Sequence, residues 1–459
     1  MPQPDGNPVD ASQLDAIFKA YDVRGLAPQQ FDEDLARRIG AAFVQVTGVE
    51  GVVVGHDMRP SSPGLAAAFA QGASRAGADV TMIGLASTDQ LYFASGHLNL
   101  AGAMFTASHN PAQYNGIKMC TAGARPIGTD TGLADIRDVV ASGEELVAHT
   151  TGEIREQDVL DAYAAHLLTL APVTGRPLHV VVDAGNGMAG LTAPAVLERI
   201  AGLEVVPLFF ELDGTFPNHE ANPIEPENLR DLQAKVRETG ADLGLAFDGD
   251  ADRCFLVDER GELVSPSTLT SLIAARELAK EPGATIIHNL ITSRAVPELV
   301  AELGGRPVRT RVGHSYIKKT MADEQAVFGG EHSGHFYFRD FWFADSGMLA
   351  ALHALAALAE ADVPMSTLLD EYERYVVSGE INSTVEDRDA IVARLHERFD
   401  ADDVSIDELD GTTLTHAEWW FNVRPSNTEP LLRLNAEGRD RATMERIRDE
   451  ALSIIRSDA

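Results

Sequence analysis

Residues 244 to 258 read Gly244-Leu-Ala-Phe-Asp248-Gly-Asp250-Ala-Asp252-Arg253-Cys-Phe-Leu-Val-Asp258. An apolar run stops at three carboxylates, Asp248, Asp250 and Asp252, and then turns apolar again, the pattern of strand, tight loop and strand. Side chains at i, i+2 and i+4 share one face of an extended chain, and in a tight loop they converge. Three converging carboxylates repel one another unless a cation sits among them. An all-oxygen ligand set suits a hard ion, magnesium or calcium, rather than zinc.

Other readings of this loop fit less well. A calcium-binding helical loop wants glycine at its sixth position, which here is Arg253; Glu259 does stand at the twelfth, but the flanks look like strands. A phosphotransferase of the haloacid-dehalogenase type also ends a strand in Asp-x-Asp, with Asp248 as the nucleophile. It normally follows with Thr, where this chain has Asp252 and Arg253. A solvated acidic turn remains, although three acids directly after Gly-Leu-Ala-Phe are unusual for a plain turn.

Outward from this loop, the chain falls into three similar rounds. The first, from Val52, runs strand, helix (63–77), strand, helix (89–98), then a strand into Thr106-Ala-Ser108-His109-Asn110-Pro111, and a last strand out of it. The second runs strand (from His179), helix (191–200), strand, helix (227–240), then the strand into the three-Asp loop. The third runs strand (from Thr285), helix (295–303), strand, helix (315–323), then a strand into Glu331-His-Ser333-Gly-His335, and a strand out. Strands alternating with helices define α/β layers, and each round carries its most polar loop at the same topological point, where α/β sheets bind ligands. Beyond Pro364 the pattern changes to helices, acidic clusters and a few strands, a smaller α+β domain.

The expected architecture is therefore α/β: three successive similar α/β domains with mixed sheets and a smaller C-terminal α+β domain, around one central cleft. The expected boundaries are a polar tail at 1–13, then domains at 14–156, 157–257, 258–366 and 367–459. A hinge is expected near 362–372, where Pro364 follows an Ala/Leu-rich helix.

At 459 residues the chain is long enough for several domains, and 37 basic against 70 acidic residues give a net charge of −33, which argues against nucleic acid and anionic membranes as partners. No apolar run is long enough to span a bilayer, and the first residues lack a basic-then-apolar signal pattern. Two cysteines, Cys120 and Cys254, make no disulfide framework and point to a reducing cytoplasm.

The loops carry the candidate chemistry. Ser108 sits where a strand breaks, with no Gly-x-Ser-x-Gly elbow for acyl transfer; as a phosphoryl carrier its phosphate oxygens would complete the metal shell begun by the three Asp. Its alternative is a plain Ser/Asn/Pro turn. Arg424-Pro-Ser426-Asn427-Thr428 offers a guanidinium fork and short donors, a phosphate clamp by type or else a capping turn. Glu331 and Ser333 can hold adjacent sugar hydroxyls, and His335 can move protons. Arg24 can meet a phosphate or pair with Asp22; Lys118 is a phosphate partner or a surface charge. His314 and Lys318 lie at a strand-to-helix turn, whose amides favour anions. The Gly-rich run 183–190 lacks the context of a dinucleotide fingerprint and reads as structural.

Together these strings, with Tyr-Asp-Val-Arg-Gly at 21–25, Asn-Gly-Ile-Lys at 115–118 and Gly-His-Ser-Tyr-Ile-Lys at 313–318, resemble the α-D-phosphohexomutase family, in the branch of the bacterial phosphomannomutases and dual phosphomannomutase/phosphoglucomutases. They span nearly the whole chain in the family's order. The resemblance implies an isomerase that interconverts mannose 6-phosphate and mannose 1-phosphate, with glucose phosphates or glucosamine phosphate as alternatives, through a phosphoserine and a hexose 1,6-bisphosphate. It implies Ser108 as the carrier, with Asp248, Asp250 and Asp252 binding Mg²⁺ together with its phosphate. Arg24, His109, Lys118, Arg253, His314, Lys318 and His335 would line the site, Glu331 and Ser333 would read the sugar, and Arg424, Ser426, Asn427 and Thr428 would grip the distal phosphate. The implied partners are the hexose phosphate and the bisphosphate activator, on a monomer or weak dimer. The rival classes are the aspartyl-nucleophile phosphatase and a non-catalytic phosphosugar-binding protein.

Overall fold

The computed structural model describes residues 11–144, 146–425 and 431–457. The chain separates into two compact units, Met1–Pro266 with Ser333–Ser366, and Ser267–His332 with Thr367–Ala459.

The first unit opens with a mixed sheet in the order Asp22–Leu26, Tyr114–Thr121, Ala101–Phe105, Gly51–His56, Asp79–Leu85, Ile154–Glu156, with Arg125–Pro126 paired on Tyr114–Thr121. Val52, Val53 and Val54 on its central strand are all fully buried, as a strand covered on both faces requires. Ala101–Phe105 runs parallel to Gly51–His56, enters the Ser108 loop, and the chain returns antiparallel on Tyr114–Thr121. A second sheet, in the order Leu263–Val264, Cys254–Asp258, Leu243–Phe247, Leu178–Asp183, Leu203–Leu208, repeats the device. Leu243–Phe247 is parallel to Leu178–Asp183, enters the three-Asp loop, and returns antiparallel on Cys254–Asp258. The third round lies in both units. Arg306–Thr310, Thr285–Asn289 and Phe328–Gly330 form a parallel set in the second unit, and Phe336–Phe338 pairs antiparallel with Ala344–Asp345 in the first. The repeat inferred from element order is thus a repeat of topology.

The C-terminal sheet is antiparallel, in the order Val376–Thr384, Leu431–Gly438, Trp419–Pro425, Thr412–His416, Ser405–Asp407. Helices Arg388–Arg398 and Arg441–Ile455 bury Ile391, Leu395, Ile447 and Ile455 against Leu414, Phe421, Val423 and Leu434. Within its unit this domain is tied to the third round. Arg294 meets the fully buried Glu437 at 3.3 Å, Trp420 donates to Glu437 at 2.7 Å and packs with Leu290 and Ile291, and Arg309 meets Asp407 at 2.6 Å. The hinge expected near 362–372 lies where the chain passes from the first unit, ending at Ser366, to the second, resuming at Thr367.

Two expectations need correction. The tail does not reach residue 13, because helix Ala11–Ile17 begins inside it to bury Leu14 and Ile17 completely; residues 1–10 lie outside the described residues. The helix expected at 227–240 starts as the 3₁₀ turn Pro226–Leu229 and becomes α-helical at Arg230–Thr239, ending where Gly240 turns left-handed at φ +63°. Among the described residues, no helix is long and apolar enough to cross a membrane.

His288, on the central strand of the third round, carries a pH signature. Burial pushes its pKa down to about 4, and its Nδ1 lies 3.1 Å from the Asn289 carbonyl. The folded chain then binds fewer protons than the unfolded chain between the two pKa values, so stability is lost as pH falls from about 6.5 towards 4, by on the order of 3 kcal/mol in full. Between pH 7 and pH 5 the wild-type melting temperature is expected to fall more steeply than that of His288→Gln; parallel curves would disprove the assignment.

Candidate active site

The first unit brings two loops together. Gly249 of the three-Asp loop lies so close to the Ser108 loop that a Cβ there would stand 2.4 Å from the Ser108 carbonyl oxygen, so only glycine fits. The Gly-rich run lies behind it: the Met188 amide donates to the Gly249 carbonyl at 2.9 Å. Ser108 is 5% exposed and left-handed at φ +49°. Its Oγ donates to Asp248 Oδ2 at 2.7 Å, with His109 Nδ1 at 3.2 Å and Arg253 Nη2 at 3.4 Å.

The three carboxylates are buried and their ligand atoms lie within 4.8 Å of one another. Two side-chain cations offset part of the charge. Lys118 Nζ bridges Asp250 and Asp252 at 2.7 and 2.6 Å, and Arg253 Nη2 grips Asp248 at 2.9 Å. Burial raises the pKa of Asp248, against the pull of Arg253 and with the push of Asp250 and Asp252, to about 8. Burial opposes ionisation of Asp250 too, but Lys118 and the Thr88 hydroxyl outweigh it and hold that carboxyl below the usual range. Burial would also neutralise Lys118, but Asp250 and Asp252 raise its pKa well above the ordinary value. Among the described residues, Asp250 Oδ1 and Asp252 Oδ1 are buried without a hydrogen-bond partner. Such oxygens are costly unless something positive meets them, and their convergence fits a bound cation.

Arg24, His109 and His335, also expected here, lie beside this cluster or the Ser108 loop. Arg24 pairs with Asp22 and donates to Asn110 Oδ1 at 2.6 Å, so it braces the serine loop. His109 is held well below the usual imidazole range, first by burial and then by Arg253 and Arg24, and is neutral at pH 7. His335 Nε2 lies 3.6 Å from Asp252 Oδ1 and 3.9 Å from Asp345 Oδ2, while its Nδ1 meets the Ser333 hydroxyl at 3.0 Å. Sequence reasoning missed Thr88 and Asp345. Thr88 opens helix Thr88–Leu98, and its amide and hydroxyl donate to the Asp250 carbonyl at 3.0 Å and to Oδ2 at 2.6 Å. The signal was a Ser-Thr-Asp helix start, which by itself reads as a cap.

The second unit holds the remaining candidates. Glu331 accepts from Asn289 Nδ2 at 3.3 Å and from the Gly313 amide at 3.1 Å, and is buried. His314 begins helix His314–Glu324, within which Lys318 is buried. Arg424 donates to Glu380 at 2.7 Å; Arg433, also missed, lies opposite it across the strands and donates to the same carboxylate at 3.1 Å. Two guanidinium groups on one carboxylate leave a positive excess suited to phosphate. Burial holds the His332 imidazole below its ordinary value, with Glu380 and Arg424 close enough to act on it in opposite directions. Ser426, Asn427 and Thr428 lie outside the described residues.

A buried serine hydrogen-bonded to a carboxylate, beside a neutral imidazole, two cations and a cation-fitting acid cluster, has the parts of an enzyme that moves phosphoryl groups. Comparison narrows the class. The sequence matches the domains described as phosphoglucomutase/phosphomannomutase alpha/beta/alpha domain I at residues 15–146, domain II at 161–261 and domain III at 266–375, and the C-terminal domain at 380–454. The chain belongs to the phosphoglucomutase/phosphomannomutase family. It is 43% identical to a Xanthomonas campestris protein named "Phosphohexose mutases", over 95% of this chain and 98% of that one. It is 40% identical to a phosphomannomutase of Salmonella montevideo, over 96% and 99%. A solved phosphoglucomutase/phosphomannomutase family protein from Burkholderia thailandensis, 35% identical, superimposes with a TM-score of 0.87 over 97% of this chain and 98% of that one. The chain is a phosphohexomutase, an isomerase of carbohydrate metabolism.

Proposed function

We propose that the enzyme interconverts mannose 6-phosphate and mannose 1-phosphate through a phosphoserine at Ser108 and a mannose 1,6-bisphosphate, with glucose phosphates as secondary substrates. The observation that carries the reading is the Ser108 Oγ at 2.7 Å from Asp248, inside the cation-fitting cluster. Magnesium, held by Asp248, Asp250, Asp252 and the Ser108 phosphate, would supply charge neutralisation to the transferring group. Arg253 and Lys118 add positive charge from the protein side. His109, neutral and beside Oγ, or His335 exchanges the proton of the sugar hydroxyl. Glu331 and Ser333 orient the sugar with His314 and Lys318, and Arg24 keeps the serine loop in place. Arg424, with Ser426, Asn427 and Thr428, holds the distal phosphate in both orientations of the bisphosphate.

An aspartyl nucleophile at Asp248 fits poorly, because both Ser108 and Arg253 already engage its Oδ2. We also propose domain boundaries near 156, 257 and 366, a monomer or weak dimer, and a cytoplasmic setting, which two buried cysteines that form no disulfide favour.

The test of substrate is a comparison of kcat/KM on mannose 1-phosphate, glucose 1-phosphate and glucosamine 1-phosphate. Mannose should lead; a lead by glucosamine 1-phosphate would refute the mannose assignment. Arg424→Ala should raise KM about 10–100-fold, since an Arg–phosphate fork is lost, and leave labelling of Ser108 by a bisphosphate detectable. A normal KM would show that the clamp lies elsewhere.

A further inference from the structure

Behind the Ser108 loop, outside the acid cluster, stands Arg59, a fully buried side chain that no substrate can reach. A guanidinium has five N–H donors in a fixed fork, and here each has a partner. Nη2 donates to the carbonyls of Ser108 at 2.9 Å and Asn110 at 2.6 Å, and Nη1 to those of Pro111 at 2.9 Å and Tyr114 at 3.0 Å. Nε donates to Asp57 Oδ2 at 3.2 Å, and that buried carboxylate also accepts from the Arg59 amide at 3.0 Å and the Ser62 hydroxyl at 2.5 Å. The Asp57 amide in turn donates to the Phe105 carbonyl at 2.9 Å, at the end of the strand that enters the serine loop. On the other side, a loop of the second α/β round closes over the arginine. A Cβ on Gly214 would come within 2.5 Å of the Arg59 Cα, and the Phe216 ring centroid lies 5.1 Å from the guanidinium carbon.

Four carbonyl oxygens of one loop pointing at one spot would repel each other and lack donors without this group. Ser108 is also left-handed at φ +49°, a conformation that a non-glycine residue keeps only when its surroundings hold it. The Ser108 carbonyl is the atom against which Gly249 of the metal-binding loop packs. Whatever fixes that carbonyl therefore fixes the spacing between nucleophile and carboxylates.

We propose that Arg59 is a positioning residue for the reaction: its five-donor fork holds the Ser108 loop in the one conformation that presents Oγ to the acid cluster, and neither substrate binding nor charge is its contribution. This rests on the reading of Ser108 as phosphoryl carrier. A lysine keeps the charge but has three donors on a single nitrogen and cannot reproduce the fork.

The test starts with labelling of the full-length wild type by glucose 1,6-bisphosphate carrying ³²P, with peptide mapping. Label on Ser108 upholds the underlying reading; label elsewhere refutes that reading, and this inference with it. Arg59→Lys is then assayed below its melting transition. Its kcat and its rate of Ser108 labelling are expected to fall about 10²-fold, with KM for mannose 1-phosphate within about threefold of wild type, because a displaced nucleophile slows transfer without altering sugar binding. A residue that only supports the fold would lower the melting temperature and leave kcat of the folded enzyme intact. A labelled wild type together with a folded Arg59→Lys of normal kcat overturns the proposal. If Arg59→Lys cannot be obtained folded, Asp57→Asn decides, since its carbonyl stays with the Arg59 amide and the Ser62 hydroxyl and its NH₂ then faces Nε, which takes away one of the fork's five acceptors. A fall in kcat of about threefold or more at unchanged KM supports positioning, and an unchanged kcat overturns it.

Discussion

Ser108→Ala is expected to lower kcat by about 10⁴–10⁶, the loss seen when a covalent nucleophile is removed from an enzyme whose other groups act only with it. The substitution removes one oxygen. It leaves Asp248 its contacts with Arg253, at 2.9 Å from Nη2 and 3.0 Å from Nε, and should leave the fold intact. Sugar phosphate should still bind, because the groups proposed to hold it lie on other loops. The chemical form of the intermediate separates this prediction from its rival. A phosphoserine survives acid, whereas an acyl phosphate on Asp248 is cleaved by hydroxylamine. Acid-stable label at Ser108 in the wild type, absent in Ser108→Ala, is the expected pair of results. Hydroxylamine-labile label at Asp248, or a Ser108→Ala enzyme with substantial turnover, would end the phosphoserine mechanism.

Asp250→Asn should cost on the order of 10²–10³ in kcat/KM. Asp250 Oδ2 accepts from Thr88 at 2.6 Å and from Lys118 at 2.7 Å, while Oδ1 is buried with no hydrogen-bond partner among the described residues. An asparagine keeps its carbonyl towards those two donors, because its NH₂ cannot accept from them. The NH₂ is then turned to where a cation would sit, so one ligand becomes a repulsive donor. Thr88 and Lys118 keep their acceptor, and the melting temperature should change little. Chelation of the wild type should abolish activity and added Mg²⁺ restore it. Calorimetry with Mn²⁺ provides a readout independent of turnover: the titration seen in wild type should be weakened at least about tenfold in Asp250→Asn. Unchanged Mn²⁺ affinity, with unchanged activity at limiting Mg²⁺, would mean that the acid cluster is not the metal site.

The three-Asp loop taken alone leaves both enzyme readings open, and the proximity of Ser108 to Asp248 favours the phosphoserine. Asp-Gly-Asp-Ala-Asp is legible as a cation site because like charges at alternate positions in a tight loop demand one. That Ser108, 140 positions earlier in the chain, hydrogen-bonds to Asp248 is not legible from the loop itself. The threefold order of elements was legible for a different reason, since alternation of strands and helices is a local pattern repeated along the chain. Thr88 read as a helix cap because its second partner, Asp250, is remote in sequence; Arg433 was overlooked because a strand residue's cross-strand neighbour depends on register. Arg59 gave no signal: a lone arginine after a strand is ordinarily a surface charge.

The sequence by itself determined the α/β class, the order of the three rounds, the family and the set of candidate residues, because hydrophobic period, turn residues and motif order are carried by neighbouring positions. Tertiary structure alone decided which of those candidates meet. It showed that Lys118 bridges two of the acids, that a buried arginine holds the serine loop from behind, and that the C-terminal domain is bonded to the third round through Arg294 and Glu437. These are contacts between positions far apart in the chain, fixed by close packing and by the requirement that buried charges and carbonyls find partners, and neither requirement names its partner in a one-dimensional string.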